Sequence, residues 1–307
     1  MNRFSMKDFL SHHPLMGIVF ALISAIGFSA KAIFVKLAYG YAVDAVTLLA
    51  LRMAFSVPFF LVAAVWVGRN QSTRIMTARD WFSVAVLGFI GYYLASFLDF
   101  LGLQYIGAGL ERLILFLYPT MVVLISTLVF RKKVDNRTIL ALLISYAGIA
   151  LVFLHDVGVE QDGMLLGSIL VFSSALAYAI YLVGAGHTIA RIGATRFTAY
   201  AMTVACAAAL LQFVFTHPLS GLEQPAGLYG LCIAMAIFST VLPAFALGAA
   251  MRRIGSTRTS MIGAIGPVAT ICLAYMFLGE LLSAIQLAGS ALVLMGVLMI
   301  SLKKQAG

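Results

Sequence analysis

Lys31, Arg52, Asp99, Glu111 and Arg112 all fall within or at the edge of long apolar stretches, and Lys36 is close by. An ion in apolar surroundings is costly unless it meets an opposite charge or a polar ligand. Two uses follow. Lys31 or Arg52 can receive the anionic group of a bound molecule, and Asp99 can receive a cationic group or a proton. The structural alternative pairs Asp99 with Arg52 or Lys31, and Glu111 with Arg112 or Lys36, while Lys36 reaches for the polar boundary. Buried aromatic residues form a second set: Tyr92, Tyr93 and Tyr118 in one half, Tyr178, Tyr181 and Phe245 in the other. A buried tyrosine hydroxyl needs a partner, so some of these are expected to line a cavity.

Covalent and metal chemistry find no footing. The sequence has no HExxH, no GxSxG, no P-loop and no paired acidic motif to hold Mg²⁺. Cys206, Cys232 and Cys272 lie in apolar stretches without CxxC spacing, and the five histidines lie in or beside hydrophilic segments. The expectation is therefore no catalytic residue, no metal and no cofactor. A membrane-embedded enzyme is a minor alternative.

The elements that must position these residues are plain from hydropathy. The chain has 307 residues, of which 63% are hydrophobic and 10% charged. Ten apolar stretches of about bilayer-spanning length can be drawn: 14–38, 47–67, 81–104, 110–130, 138–154, 164–184, 197–215, 228–251, 259–278 and 284–301. Positive charge alternates between the segments that separate them. Arg3 and Lys7, then Arg69, Arg74 and Arg79, then Arg131, Lys132, Lys133 and Arg137 fall in odd-numbered segments. So do Arg191 and Arg196, then Arg252, Arg253 and Arg258, then Lys303 and Lys304. Only Arg112 falls on the other side. This is the positive-inside pattern, and it predicts cytoplasmic N and C termini. The first stretch is too long for the apolar core of a signal peptide. The net charge of +9 reflects this topology and anionic headgroups, not nucleic acid, because the basic residues are spread over six short segments.

The chain also repeats itself. At an offset of 148 residues, Phe97, Ile106, Gly107, Ile114, Pro119 and Gly148 match Phe245, Ile254, Gly255, Ile262, Pro267 and Gly296. At 150, Leu15, Gly17, Ser24 and Ala25 match Leu165, Gly167, Ser174 and Ala175. The expected fold is thus an all-α integral membrane protein of ten transmembrane helices in two five-helix repeats, 14–154 and 164–301. Residues 1–13 and 302–307 form cytoplasmic ends. Five is odd, so the second copy enters from the opposite side and the repeats are inverted, as in many secondary transporters. The intramembrane ions all belong to the first copy. Tyr181, Met202, Leu247 and Thr259 stand at the positions of Lys31, Arg52, Asp99 and Glu111. Lys31 lies roughly 25 Å into the first stretch at 1.5 Å per residue, which puts it and the other ions in the outer half. Pro119 and Pro267 are each expected near mid-span. There they would bend the helix, free the carbonyls of Leu115 and Gly263, and act as hinges. Gly263, Gly266, Gly289 and Gly296 are expected at close helix contacts.

Several segments resemble the drug/metabolite transporter superfamily, EamA type. They are Phe34-Val35-Lys36-Leu37-Ala38, Leu51-Arg52-Met53, Glu111-Arg112-Leu113 running to Tyr118-Pro119, and Gly279-Glu280 before the last stretch. The resemblance covers nearly the whole chain. It implies a multi-pass carrier of the bacterial inner membrane, usually an exporter of amino acids or other small metabolites. It also implies that the third, fourth, eighth and ninth spans surround the central cavity. The first copy departs from the family's Gly-Glu pattern, with Arg131-Lys132 there, so Glu280 is expected as a helix-end anchor. The partners so implied are a small-molecule substrate and the lipid bilayer, with a proton as the candidate coupling ion. A channel lacks the ring of like charges it needs, and no loop is large enough for a sensor. Uptake is the alternative to export.

Overall fold

A computed structural model describes residues 14–69, 75–129, 136–157, 162–279 and 283–301, and every regular element among them is helical. Glu280 and the first-copy Arg131 and Lys132 lie outside the described residues. The first half contains α1 (Pro14–Tyr39), α2 (Ala45–Arg69), α3 (Ala78–Gly88), α4 (Ala95–Gly102), α5 (Ala108–Leu115), α6 (Tyr118–Val129) and α7 (Asn136–Val157). The second contains α8 (Met164–Ile192), α9 (Ala194–Thr216), α10 (Ala226–Ala236), α11 (Leu242–Ile262), α12 (Gly266–Leu278) and α13 (Ala284–Ser301).

Seven helical stretches among the described residues are long and apolar enough to cross a bilayer: Leu15–Tyr39, Ala45–Arg69, Ala78–Gly102, Ala108–Val129, Met164–Ile192, Ala194–Thr216 and Ala226–Ser256. Two shorter apolar helices, Ile139–Leu151 and Ala284–Gly296, accompany them. The ninth apolar stretch is also helical, but a 3-10 turn at Gly263–Ile265 interrupts it. Large apolar side chains such as Val62, Trp66, Phe82, Leu143 and Phe215 are exposed on the outer faces. That suits hydrocarbon rather than water.

Local chemistry sets the helix ends. A capping box, Thr77 with Asp80, starts α3. Asp44 starts α2, accepting hydrogen bonds from the backbone N–H groups of Val46 and Thr47 (2.8 and 2.9 Å). Gly255 interrupts α11 with φ 80° and ψ 162°, a conformation that only glycine adopts without strain.

Helices of one half pack on helices of the other. α2 lies along α9, and α7 lies along α13. α1 nests against α11 and α12, while α8 nests against α3, α4, α5 and α6. Small residues allow the α7–α13 approach, as expected for Gly289 and Gly296. A Cβ at Gly296 would sit 2.1 Å from Ser145 Oγ, and one at Gly148 would sit 2.6 Å from the Gly289 carbonyl.

Two features differ from the sequence reading or escape it. Pro119 and Pro267 do not kink continuous helices. The helix stops before each proline and restarts with the proline in its first turn: α5 ends at Leu115 and α6 begins at Tyr118, and Pro267 opens α12. A first-turn residue has no intrahelical partner for its N–H, so the missing donor leaves no orphan there. The expected orphan carbonyl of Gly263 accepts the Gly266 N–H. Second, π-helical turns occupy Phe89–Leu94, between α3 and α4, and Ile237–Val241, between α10 and α11. Their first residues are 148 apart, the offset of the repeat.

Candidate functional site

The helix breaks and the first π-turn converge on one cavity, and the second π-turn reaches it through a lining arginine. It encloses about 830 Å³, counting its opening. From the first half come Ser24, Phe28 and Lys31 of α1, Arg52 of α2, Gly91 and Tyr92 of the π-turn, Ser96 of α4, Arg112 and Leu115 of α5, and Tyr118 of α6. From the second come Ser174, Tyr178 and Leu182 of α8, Leu247, Thr259 and Ser260 of α11, and Gly263.

The charges divide into wall and backing. Lys31, Arg52 and Arg112 are on the wall, whereas Asp99 and Glu111 are not and are fully buried. Lys31 Nζ lies 2.5 Å from Asp99 Oδ2 and 3.9 Å from Glu111 Oε1. Of the two partners expected for Asp99, the structure brings up Lys31. Arg52 instead donates from Nε to Thr240 Oγ1 (2.7 Å) and lies over the Phe100 ring, 5.3 Å from its centroid. The Thr240 hydroxyl donates to the Met235 carbonyl five residues back (3.1 Å), so the second π-turn holds the oxygen that holds Arg52. Glu111 is expected beside Arg112 or Lys36, but among the described residues the ion-pair contact it makes is with Lys31. Arg112 donates from Nη2 to Ser29 Oγ (2.9 Å). The Ser29 hydroxyl is in turn shared between the carbonyls of Ala25 (2.6 Å) and Gly266 (3.0 Å). Arg112 thus ties α5 to α1 and to the start of α12.

The aromatic residues make a continuous array. Tyr118 meets Tyr178 edge-on at 5.1 Å between centroids, Tyr178 stacks on Tyr181 at 5.7 Å, and Tyr181 meets Tyr92 at 4.8 Å. The Tyr181 hydroxyl donates to that of Tyr92 (2.9 Å), and Tyr118 donates to the Ser260 carbonyl (3.4 Å). Gly91 permits this register, because a Cβ there would meet Cγ of Tyr181 at 2.2 Å.

Of the residues singled out by sequence, Lys31, Arg52, Tyr92, Tyr118 and Tyr178 reach the cavity. Asp99, Glu111 and Tyr181 stand behind its wall as partners of lining residues. Tyr93 and Phe245 do not reach it. Tyr93 packs with Phe89 and Phe97, and Phe245 packs with Phe60. Ser29, Thr240 and Phe100 were missed. A neutral hydroxyl or a phenyl ring carries no signal in an apolar sequence, although Thr240 stands 148 residues after Tyr92 and was findable by the repeat.

One end of the bundle is latched outside the apolar stretches. His217 Nε2 lies 3.3 Å from Asp44 Oδ1. Burial pushes the Asp44 carboxyl up, but hydrogen bonds from Thr47 and Val46 and the charge of His217 outweigh it and hold its pKa below the usual value. A lowered folded-state pKa means the stabilisation is complete above the unfolded value, about 3.9. It is lost as the pH falls through the lower folded value. Asp44→Ala is expected to destabilise by about 0.5–2 kcal/mol at neutral pH through the lost cap. Melting curves of the two proteins should converge as the pH falls below 4. A gap that does not shrink as the pH falls would put the effect elsewhere. At the other end Arg191 pairs with Asp80 (3.1 Å).

Comparison with known proteins agrees with this architecture. A family described as the EamA-like transporter family matches residues 15–154 and again residues 165–302. The uncharacterized transporter YcbK of Bacillus subtilis is 30% identical over 279 residues, covering 89% of this chain and 88% of its own length. The uncharacterized transporter sll1319 of Synechocystis is 24% identical over 323 residues, covering 96% of both. A protein of known crystal structure superposes with a TM-score of 0.68 over 92% of this chain and 96% of its own, at 18% identity, which is a likeness of fold alone.

Proposed function

The chain belongs to the EamA-like transporter family, and from that premise we propose that it is a secondary carrier of a small metabolite that bears an anionic group. It works by alternating access across the bacterial inner membrane, in the export direction. Ten helices in two inverted five-helix repeats, 14–154 and 164–301, carry the cycle, with both termini cytoplasmic. The alternation of basic residues supports that topology. The separate family match to each half supports the repeats.

The observation that carries the reading is the cavity itself. Both halves wall it, and three cations and three tyrosines of the apolar stretches meet there. A site between inverted halves is what rocking of one half against the other would expose alternately. Arg52 and Lys31 take the substrate's anionic group. Asp99, behind Lys31, takes the coupling proton and so decides whether Lys31 is free. The breaks before Pro119 and Pro267 serve as hinges, since a helix already interrupted can rotate there without losing a hydrogen-bonded turn.

Metabolite profiling of bacteria overexpressing the chain tests this. One metabolite should accumulate in the medium at the expense of the cell pool. Arg52→Ala at normal expression should reduce that efflux at least tenfold, about 1.4 kcal/mol of lost interaction. Faster accumulation inside the cell would reverse the direction to uptake. Unchanged efflux with Arg52→Ala would remove Arg52 from the site.

A further inference from the structure

The charge on the cavity wall has one sign. Lys31, Arg52 and Arg112 line it, and among the described residues no carboxylate does. The other polar side chains on the wall are hydroxyls, those of Ser24, Ser96, Ser174 and Ser260 among them. The two acids that could balance the cations, Asp99 and Glu111, are both buried around Lys31. Their fields reach Arg52 and Arg112, but neither guanidinium is in an ion pair among the described residues. Arg52 is held by a threonine hydroxyl and Arg112 by a serine hydroxyl. Each keeps a buried donor without a hydrogen-bond partner there, Nη1 of Arg52 and Nε of Arg112. With every group ionised, three positive charges face two negative ones. A proton on either acid would widen the excess.

A zwitterion is poorly matched to such a wall. Its carboxylate would be welcome, but its ammonium would stand among three cations with no carboxylate on the wall to receive it. The remaining wall, with Phe28, Leu115, Leu182, Leu247 and the tyrosine rings, suits an apolar body. We infer that the cavity selects a monoanionic organic acid with an apolar body and discriminates against the amino acid of the same skeleton. This rests on reading the cavity as the carrier's substrate site.

Three probes built on one phenylethyl unit separate the charges: 3-phenylpropanoate, phenylalanine of the same skeleton, and 2-phenylethylamine, which is phenylalanine without its carboxyl group. Binding is read from thermal stabilisation of the full-length protein in detergent, so that leakage of a weak acid through a bilayer does not intrude. The acid should bind at least tenfold more tightly than phenylalanine, and the amine should not bind. Arg52→Gln should weaken the acid at least tenfold and close the gap to phenylalanine. Arg112→Gln repeats the comparison should Arg52→Gln not fold. Equal or tighter binding of phenylalanine, binding of the amine, no binding of any probe, or indifference to both substitutions would overturn the inference. The carrier reading fails separately. Export of a zwitterion would leave the carrier standing and remove the anion selectivity, whereas a protein that binds the acid and moves nothing would do the reverse.

Discussion

The double substitution Asp99→Asn/Glu111→Gln is expected to unfold the protein or lower its stability by about 3–5 kcal/mol, and to abolish transport. The reason is Lys31. Its ammonium is nearly buried and has two carboxylates, one at 2.5 Å and one at 3.9 Å. Removing both leaves an uncompensated charge in an apolar interior, which is far worse than never having had the pair. Asp99→Asn alone should cost clearly less, because Glu111 is near enough to take over. Glu111→Gln alone should cost least. The sum of the single effects should therefore fall short of the double effect. Adding Lys31→Met to the double variant should restore most of the stability and none of the transport. Thermal unfolding in detergent reads the four stabilities, and proteoliposome flux reads transport in the double and triple variants. Additive single effects would mean that the acids act on different partners. Recovered transport in the triple variant would mean that the cluster only holds helices together. A charge swap aimed at Arg52 and Asp99 is not informative, since Arg52 contacts Thr240 and Phe100 instead.

Gly91→Ala is the second substitution with a large expected effect. The new methyl would fall 2.2–2.5 Å from Cγ, Cβ and Cδ2 of Tyr181. Those atoms belong to the root of a buried ring and cannot swing aside, so either the ring or the π-turn must move. Overpacking of this kind costs about 1–3 kcal/mol. Flux should fall further than stability suggests, because Tyr181 anchors the Tyr92 hydroxyl on the cavity wall. Tyr181→Ala placed on Gly91→Ala should recover melting temperature by making room, while flux stays low for want of the Tyr92 partner. Normal flux in Gly91→Ala would show that the position of Tyr92 does not matter to transport.

The sequence reveals ions in an apolar background because each is conspicuous there, and three of the five reach the cavity. It does not reveal who pairs with whom. Asp99 could have faced Arg52 or Lys31, and the choice depends on rotation of α1, α2 and α4 about their axes. Glu111 and Arg112 are adjacent in sequence yet reach different partners, because neighbouring residues on a helix point about 100° apart. Pro119 and Pro267 mark the right places for a discontinuity, but hydropathy cannot distinguish a bend from a stop and restart. Tyr93 and Tyr92 look alike on paper. The π-turn that contains both decides which one faces the cavity. The π-turns themselves leave no mark, since Phe-Ile-Gly-Tyr-Tyr-Leu and Ile-Phe-Ser-Thr-Val share no pattern.

Those two turns also carry history. A π-turn is a regular helix with one residue too many, as a one-residue insertion accommodated without breaking the rod would leave it. Two such traces, at matching positions of two copies, are most simply explained by one insertion before the copies were joined. The bulge is then older than the 307-residue chain. A single-repeat ancestor would have carried it already, and joining two such units would have set two bulges in one bundle. The later departure was in side chains: one copy placed Tyr92 at its bulge and the other placed Thr240 to hold an arginine of its twin.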